Sequence, residues 1–496
     1  MGLINALGNI IVAIVGGTLQ LFIELAELIG KKDHSQKATF GDKRKVTTYS
    51  KEASFYIGDD AIDPKIAMNS AILCGKTGVG KSATVFKNSL LQTPAPKIEE
   101  DDPRSMSYVV LDPADGELED DTGGFNHEVG YGIDIVNFSD ASKSNVAFNP
   151  IEGLNDSEVS RFAGEYIETA LSKSKSSDPF WNISATRTLR MAINILRLFP
   201  GYINLYNARY IVQLLSSNAD ELDVLLSLPI VPEDLFNEYA SIVGMGDKLK
   251  SSVMATTLAS LELFGDPEIA KMTSKSTLDM EEYRERSKIL YIQTPVMDQE
   301  HVAILNSLLF SRFFSYCMST RPEEHQNTIA FMIDECSSLR MKPSLLPLAV
   351  SNLRKYRGFG VFGFQSIAQI RELYGRDHAQ TITQNAGTRL FFPGQDLPTS
   401  QELSSMLGRY DWKDGEGRQH SRNLLNPDEV SFLQNKDGAL LFSGSERGIL
   451  LKDIRPWYKN RRLVKRSKIE SPERDPVDAS MPLLLPIEDI IKRHQA

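Results

Sequence analysis

The segment "GKTGVGKS" fits the pattern G-x-x-x-x-G-K-[ST] at every fixed position. It follows the apolar run "AILC" and precedes a run with helical spacing, which is the strand–loop–helix context of a phosphate-binding loop (P-loop). The glycines let successive backbone N–H groups surround phosphate oxygens, and the dipole of the following helix adds positive potential. The predicted nucleotide-binding residues are Gly75, Lys76, Thr77, Gly78, Val79, Gly80, Lys81 and Ser82.

Two side chains of this loop carry chemistry of their own. Lys81 is expected to bridge the β- and γ-phosphates, and the Ser82 hydroxyl is expected to bind Mg²⁺. ATP and Mg²⁺ are therefore the predicted cofactors.

A second group of candidates ends the apolar run "TIAFMIDE". Asp334 and Glu335 stand where a strand would end, and ligands of parallel α/β sheets bind at that edge. Asp334 suits the water shell of Mg²⁺, and Glu335 suits the base that polarises the attacking water. A protein that only binds nucleotide needs no base, so the pair predicts an ATPase.

The segment "RKYRGFGVFGFQS" combines a basic cluster with a terminal amide. If its apolar middle is a core strand, Gln365 falls at the same sheet edge as Glu335. There an amide can hydrogen-bond the γ-phosphate or the attacking water. The alternative is that Gln365 caps the next helix. Arg354 lies at the other end of the strand, out of reach of its own subunit's phosphate, because ten extended residues span more than about 30 Å.

Strand-like and helix-like runs alternate along most of the chain, which predicts a mainly parallel α/β sheet. The strand-like runs are "SAILCG", "SYVVLDP", "GIDIVNF", "KILYIQTP", "TIAFMIDE", "GFGVFGFQ", "TRLFF" and "ALLFSG". One long stretch after the third run shows only helical spacing, so an all-α domain is predicted to be inserted there. The predicted parts are a membrane-associated helix (1–30), a linker (31–54), a nucleotide-binding domain in two parts (55–153 and 281–466), the inserted all-α domain (154–280) and a C-terminal tail (467–496).

The N-terminal segment has no charged side chain from Met1 to Ile23. It is long and apolar enough to span a membrane, with a stripe of polar or small residues at helical spacing. The alternatives are an interfacial amphipathic helix and a buried helix of a soluble protein. Lys31 and Lys32 follow directly, which places the rest of a spanning chain in the cytoplasm.

The net charge of −10 argues against a histone-like polycation but allows a local basic surface. The strongest basic run is "IRPWYKNRRLVKRSK", with seven cations from Arg455 to Lys468 and two aromatic residues. Cations interleaved with aromatics can bind phosphates and stack bases. A solvated surface, or a face close to anionic lipid, is an equally good interpretation.

The order of the motifs resembles that of type IV coupling proteins, the TraD/TraG conjugation ATPases, which are relatives of the FtsK and HerA DNA motors. The resemblance runs from about Phe55 to Arg466 and is carried by "GKTGVGKS", "DPFW", "MIDECSSL", "LRKYRGFGVFGFQSIAQIRELYG" and "ALLFSGSERGILLKDIRPWY". It implies a RecA-like P-loop motor with an all-α insertion, anchored in the bacterial inner membrane and assembled as a hexameric ring. Such rings pass relaxase-bound DNA, or protein effectors, to a type IV secretion channel, and ATP hydrolysis at the subunit interfaces drives the transfer.

The resemblance also implies roles for individual residues. The family places an interface arginine finger eleven positions before the glutamine of this element, which is Arg354. "DPFW" is interpreted first as structure, with Asp178 as a helix cap, Pro179 in the first turn and the two aromatic residues packed underneath. Contact of this motif with nucleotide or DNA is the alternative.

Two features depart from the family pattern. The family's D-P-K-G-E-L reads "DPADGEL" from Asp112 to Leu118, with an extra residue and no lysine. Many members have two membrane spans around a periplasmic segment, whereas the N-terminal segment has room for one. Contacts with a periplasmic channel are therefore expected to be reduced or made by another subunit.

Three functions remain open from the sequence. The first is a membrane-anchored ATPase motor for single- or double-stranded DNA. The second is a motor of the same family that exports protein. The third is a recruitment platform at the membrane whose nucleotide site only governs assembly.

Overall fold

The computed structural model describes residues 38–48, 54–96, 106–171, 179–217 and 219–495. The predicted membrane helix (1–30) and half of the predicted linker (31–54) lie outside the described residues, and so does Asp178.

One large sheet organises the described residues. The strands of the described residues, in chain order, are β1 Thr47–Thr48, β2 Tyr56–Ile57, β3 Asp60–Ile62, β4 Ala71–Cys74, β5 Met106–Asp112, β6 Gly132–Val136, β7 Lys288–Gln293, β8 Thr328–Ile333, β9 Gly358–Phe364, β10 Thr388–Phe391, β11 Arg409–Lys413, β12 Gln419–Asn423, β13 Ala439–Ser443 and β14 Ile449–Leu451. Nine of them form the large sheet in the order β14-β13-β10-β4-β9-β8-β5-β7-β6, and the strands from β10 to β6 are all parallel. β13 and β14 extend the sheet as antiparallel strands at one side. The predicted mainly parallel α/β sheet is confirmed.

Helices cover both faces of this sheet. In chain order the α-helices of the described residues are α1 Pro64–Ala67, α2 Lys87–Leu90, α3 Glu117–Glu128, α4 Asp156–Ala170, α5 Pro179–Arg197, α6 Leu205–Ser217, α7 Asp220–Leu226, α8 Glu233–Val243, α9 Asp247–Ser260, α10 Pro267–Met272, α11 Glu282–Glu285, α12 Gln299–Ser319, α13 Leu345–Asn352, α14 Ile367–Tyr374, α15 Arg376–Asn385, α16 Leu397–Leu407, α17 Pro427–Ser431, α18 Arg461–Arg466 and α19 Ile487–Gln495. Between β6 and β7 the described chain forms helices α4 to α11 and no strand.

The central strands are apolar throughout because both of their faces are covered. Every residue of β4, β8 and β9 is buried. Alternate side chains of β4 enter different cores: Ile72 and Cys74 pack in one, Ala71 and Leu73 in the other. The loops at the ends of these strands are therefore positioned by strands that are packed on both faces.

The segment Val296–Ser319, which contains α12, is the one helix of the described residues that is long and apolar enough to cross a membrane. Of its apolar window, 61% is buried inside the protein. Phe314 of α12 packs on Phe331 of β8, with ring centroids 4.5 Å apart. In this structure the helix contributes to the core beneath the sheet.

The glycines of β9 make room for different neighbours. A side chain at Gly358 would meet Cys317 of α12 at 3.0 Å, so this glycine admits a covering helix. A side chain at Gly363 would instead collide with the backbone carbonyl of Asp334. The second glycine therefore brings β9 close to the acidic end of β8.

α5 begins at Pro179, as "DPFW" predicts. Trp181 packs against the core, whereas Phe180 is 39% exposed. One of the two aromatic residues therefore packs as expected.

The C-terminal tail is packed on the protein. It crosses α3 at Gly124, where an added side chain would collide with the carbonyl of Ile469. The buried Asn207 of α6 then holds the extended tail: its amide donates to the Leu483 carbonyl at 3.0 Å and accepts from the Leu485 N–H at 3.0 Å. The tail ends in α19, which packs against α7.

Candidate nucleotide-binding site

The segment Gly75–Ser82 links β4 to a helix that starts as a π-helical turn, Ser82–Phe86, and continues as α2. These two pieces are called the P-loop helix below. Gly78 and Gly80 have φ angles of 81° and 103°, a region that favours glycine. A side chain at Gly75 would lie 2.8 Å from Cβ of Phe392, so the loop can follow this path only without one.

Lys81 and Ser82 lie at the start of the P-loop helix. The Lys81 ammonium group is buried and donates to the Gly75 carbonyl at 2.7 Å. The Ser82 hydroxyl donates to Oδ2 of Asp334. The two motifs that the sequence predicts on separate strands therefore meet through a direct hydrogen bond.

Asp334 is buried at the end of β8. Its Oδ1 has no hydrogen-bond partner within the described part of the chain. Burial raises the pKa of this carboxyl to about 6, although the Ser82 hydroxyl and the Lys81 charge oppose the shift. A nearby divalent cation would favour the ionised form, because an opposite charge lowers the pKa of a carboxyl.

Glu335 and Gln365 lie at the same sheet edge. Glu335 is half-buried and accepts a hydrogen bond from the Ser337 hydroxyl. Gln365 follows Phe364, whose carbonyl accepts from the Gly75 N–H at 3.0 Å, so the exposed glutamine stands beside the P-loop.

Gln365 does not cap α14. The cap is Ser366, whose hydroxyl accepts from the Gln369 N–H at 3.2 Å. The alternative in which Gln365 serves as the helix cap is therefore wrong.

Arg354 lies at the opposite edge of the sheet, in the turn Leu353–Tyr356 that leads into β9. It is exposed, and its Nη1 donates to Oδ1 of Asn69 at 2.7 Å, just before β4 begins. Arg354 therefore lies away from the P-loop of its own chain. This agrees with the prediction that the length of β9 keeps it out of reach.

Two residues of this region are absent from the predicted site. Asp112 ends β5 beside β8 and is fully buried, and the buried Lys87 of the P-loop helix pairs with Glu117 and Asp121 of α3. Asp112 shows the same signal that identifies Asp334, an acid directly after an apolar strand. Lys87 shows no such signal, because its partners come from another element.

The residues present fit a nucleotide and a divalent cation. Backbone N–H groups of a glycine-rich loop and a buried ammonium group suit phosphates. A hydroxyl and a carboxylate with a free oxygen suit Mg²⁺, which prefers oxygen ligands and keeps several waters. Ser82 and Asp334 are the residues that would hold the metal.

A P-loop between a buried strand and a helix, joined to the acidic end of a nearby parallel strand, defines the class of P-loop NTPases. Within this class the comparison with protein families is specific. The sequence model for conjugative DNA transfer of the type IV secretory system matches residues 26–480, so the chain belongs to that family.

Relatives with curated sequences are similar over part of their length. VirD4 of Agrobacterium fabrum is 24% identical over 244 residues, which cover 46% of this chain and 34% of VirD4. VirD4 of Rhizobium rhizogenes shows the same identity and coverage. The chain thus spans about a third of the length of the curated relatives that it matches.

Solved structures support the fold. The bacterial conjugative coupling protein TrwB in complex with sulphate superposes with a TM-score of 0.63 at 18% identity, covering 84% of this chain and 95% of that one. Plasmid coupling protein TrwB in complex with ADP and Mg²⁺ gives 0.62 at 17% identity, with 84% and 94% covered.

Proposed function

We propose that the protein is a membrane-anchored, Mg²⁺-dependent ATPase that couples DNA to a type IV secretion channel. The observation that carries the proposal is the hydrogen bond from Ser82 to Asp334, which joins the P-loop to the acidic end of β8. Membership of the conjugative DNA transfer family and the nucleotide complexes of TrwB support it.

Each predicted site residue has a proposed task. The backbone of Gly75–Ser82 and the Lys81 ammonium group hold the phosphates, and bound Mg²⁺ would neutralise charge that develops on them. Glu335, half-buried at the sheet edge, accepts a proton from the attacking water. Gln365 orients that water or the γ-phosphate through its exposed amide.

A ring supplies the remaining group. Arg354 is too far from its own P-loop, so we assign it to the nucleotide of a neighbouring subunit, where an arginine stabilises the transition state. Its exposure supports this assignment, since a neighbour can reach it. The family resemblance supports a hexamer.

The basic segment from Arg455 to Lys468 is the proposed DNA-contacting surface. Exposed cations line it, and within the described residues they form no ion pair: Lys459, Arg461, Arg462, Lys465 and Lys468. Tyr458 is 58% exposed beside them, as base stacking requires.

This surface is packed on the P-loop helix and hydrogen-bonded to it. Leu463 is buried between that helix and α3, and Arg466 donates to the Leu91 carbonyl at the helix end. The amide of Asn88 donates to the Arg455 carbonyl at 3.0 Å. A force on DNA bound to this segment would therefore be transmitted to the P-loop helix, whose first turn holds the phosphates.

The proposed domain organisation follows the strand order. Residues 55–153 and 281–466 form the nucleotide-binding domain, and residues 154–280 form an all-α domain inserted between β6 and β7. We place the segment 1–30 in the bacterial inner membrane, as a span or an interfacial helix, and the bulk of the chain in the cytoplasm. The proposed partners are relaxase-bound DNA and components of the secretion channel.

The deciding experiment measures ATP turnover of the full chain in detergent over a concentration series, with and without single-stranded DNA. The DNA motor predicts that DNA stimulates turnover of oligomeric protein. If DNA leaves that rate unchanged, protein export with the same motor becomes the better function. If Glu335→Gln supports transfer in cells like the wild type, the platform without a motor becomes the better function.

A charge-reversal pair tests the DNA surface. Lys459→Glu with Arg462→Glu should weaken binding of single-stranded DNA about tenfold or more at low salt and flatten its salt dependence. The matched control is Lys248→Glu with Lys250→Glu on α9, which should bind like the wild type. Equal effects of the two pairs would contradict a localised DNA site.

A further inference from the structure

A second buried carboxylate, Asp112, lies beside Asp334 at the carboxyl edge of the sheet. β5 and β8 are parallel neighbours with Leu111 opposite Ile333, so the residues that follow these two lie side by side. Adjacent strands of a sheet are about 4.8 Å apart. The two carboxylates therefore belong to one small region of the site.

Both carboxylates are on the face covered by the P-loop helix and α3. Asp334 contacts Ser82 at the start of the P-loop helix. Asp112 contacts the first turn of α3, where its Oδ2 accepts the N–H groups of Leu118 and Glu119 at 3.0 Å each. The two helices are neighbours, because Lys87 of one pairs with acidic residues of the other.

Each carboxylate uses one oxygen and leaves the other without a donor. Within the described residues, Oδ1 of Asp112 and Oδ1 of Asp334 are both buried and have no hydrogen-bond partner. A buried polar atom without a partner is costly and rare, and two on neighbouring strands indicate donors that the chain itself does not supply. Water molecules around a cation are such donors.

We propose that Asp112 is a positioning residue for the magnesium site. Its free oxygen accepts a hydrogen bond from a metal-bound water, while its other oxygen stays bound to α3. Mg²⁺ is bound through few carboxylates and keeps several waters, so a second carboxylate next to Asp334 suits its water shell. This inference rests on the proposed function, in which the site binds Mg²⁺ with ATP.

The assignment also explains what "DPADGEL" does without the family's lysine. The segment turns through Asp115 and Gly116, which have φ angles of 57° and 96°, and directs the first N–H groups of α3 at Asp112. The amide donors fix the carboxylate from one side, so its free oxygen has a defined position. No lysine is needed for that task.

The test is Asp112→Asn in the full chain. The asparagine oxygen can still accept from Leu118 and Glu119, but its NH₂ group replaces the free oxygen and cannot accept from a water. The measurement is binding of a fluorescent, non-hydrolysable ATP analogue during titration with Mg²⁺ or Mn²⁺, and separately in EDTA. We expect the half-saturating metal concentration to rise about tenfold or more, with metal-free binding unchanged.

The matched control is Asp121→Asn, the same change of side chain at a residue of α3 whose carboxylate pairs with Lys87. It should leave the metal dependence at the wild-type value, whereas Asp334→Asn should raise the metal requirement. Wild-type metal dependence in Asp112→Asn, with the Asp334→Asn effect present, overturns the inference and leaves the proposed function intact. Absence of any metal dependence in the wild type overturns the proposed function itself.

A second variant, Asp112→Thr, tests the same inference if Asp112→Asn folds poorly. Asp112→Thr keeps a hydroxyl that can accept from the first turn of α3 and removes the second oxygen. It should show the same raised metal requirement. A folded Thr variant with the wild-type metal requirement would overturn the role of Asp112.

Discussion

The two edges of the central sheet carry their charged residues in opposite ways. At the carboxyl edge, Lys81 and Asp334 are buried and hydrogen-bonded to the P-loop. At the amino edge, Arg354 is exposed and its guanidinium donates to Asn69. The same strand, β9, connects the two edges, with Gln365 at one end and Arg354 at the other.

The difference shows which part of the proposed active site one chain can assemble. Buried charges need partners that folding brings together, because an unpaired buried charge is costly. An exposed arginine has no such requirement and can meet a group from another molecule. The carboxyl edge is thus prepared by folding, whereas the amino edge is available to a neighbour.

The strongest test of this difference between the two edges is a substitution of Arg354. Arg354→Ala should lower ATP turnover by about 1,000-fold or more, the usual contribution of an arginine finger, and leave nucleotide affinity unchanged. Mixing it with Lys81→Ala subunits should restore part of the turnover, because each variant supplies what the other lacks. Lys355→Ala, a change of the next exposed cation, is the control and should stay active. No rescue at any mixing ratio would exclude the assignment in trans.

At the other edge, Glu335→Gln should lower turnover by roughly 100- to 10,000-fold, the range of a lost general base. Nucleotide affinity should be retained, since Gly75–Ser82 and Asp334 are intact. Turnover under single-turnover conditions and equilibrium binding of ATP are the two measurements. A parallel loss of binding would show that Glu335 acts on the loop rather than on the water.

The carboxyl edge also depends on a close backbone approach. Gly363→Ala would push a methyl group into the carbonyl of Asp334, and we expect a loss of about 3 kcal/mol in the free energy of unfolding. Gly415→Ala, at a loop position where a side chain meets nothing within 4 Å, is the control. Chemical denaturation of both variants compares them, and equal stabilities would contradict the packing described for β9.

A smaller effect concerns pH. Burial raises the pKa of Asp112 to about 7, so between pH 4 and 7 the folded chain holds a proton that the unfolded chain has released. The contribution of this carboxyl to stability therefore falls as pH rises through that range, by up to about 1.4 kcal/mol per pH unit. Relative to Asp112→Asn, the nucleotide-free wild type should lose about 2 kcal/mol between pH 5.5 and 7.5. Melting curves of both proteins at several pH values measure it, and parallel curves would contradict the raised pKa.

Much of the carboxyl edge could be predicted because its signals are local. The P-loop is one continuous motif, and all eight predicted strand-like runs are strands of the sheet. Ends of parallel strands meet at one edge, which brings Asp334, Glu335 and Gln365 together in prediction and in structure. The apolar character of buried parallel strands made these runs visible.

The missing parts depend on long-range pairing or on exposed residues. The hairpin β11–β12 carries mostly exposed polar residues, with Trp412 stacked on His420, so it shows no apolar alternation. The short strand β14 follows a turn and has three residues. The role of Gly363 follows from the path of a different strand, and the partners of Lys87 come from α3. None of these features can be predicted from the order of apolar and polar residues in the nearby sequence.

The tail has a practical consequence for handling the protein. The family match ends at residue 480, but Leu485, Ile487 and Ile490 beyond it are buried in the main core. A chain shortened to the family boundary would lose these three side chains, which would expose the apolar core residues that they cover and the amide of Asn207. Such a chain should precipitate or bind unrelated hydrophobic segments.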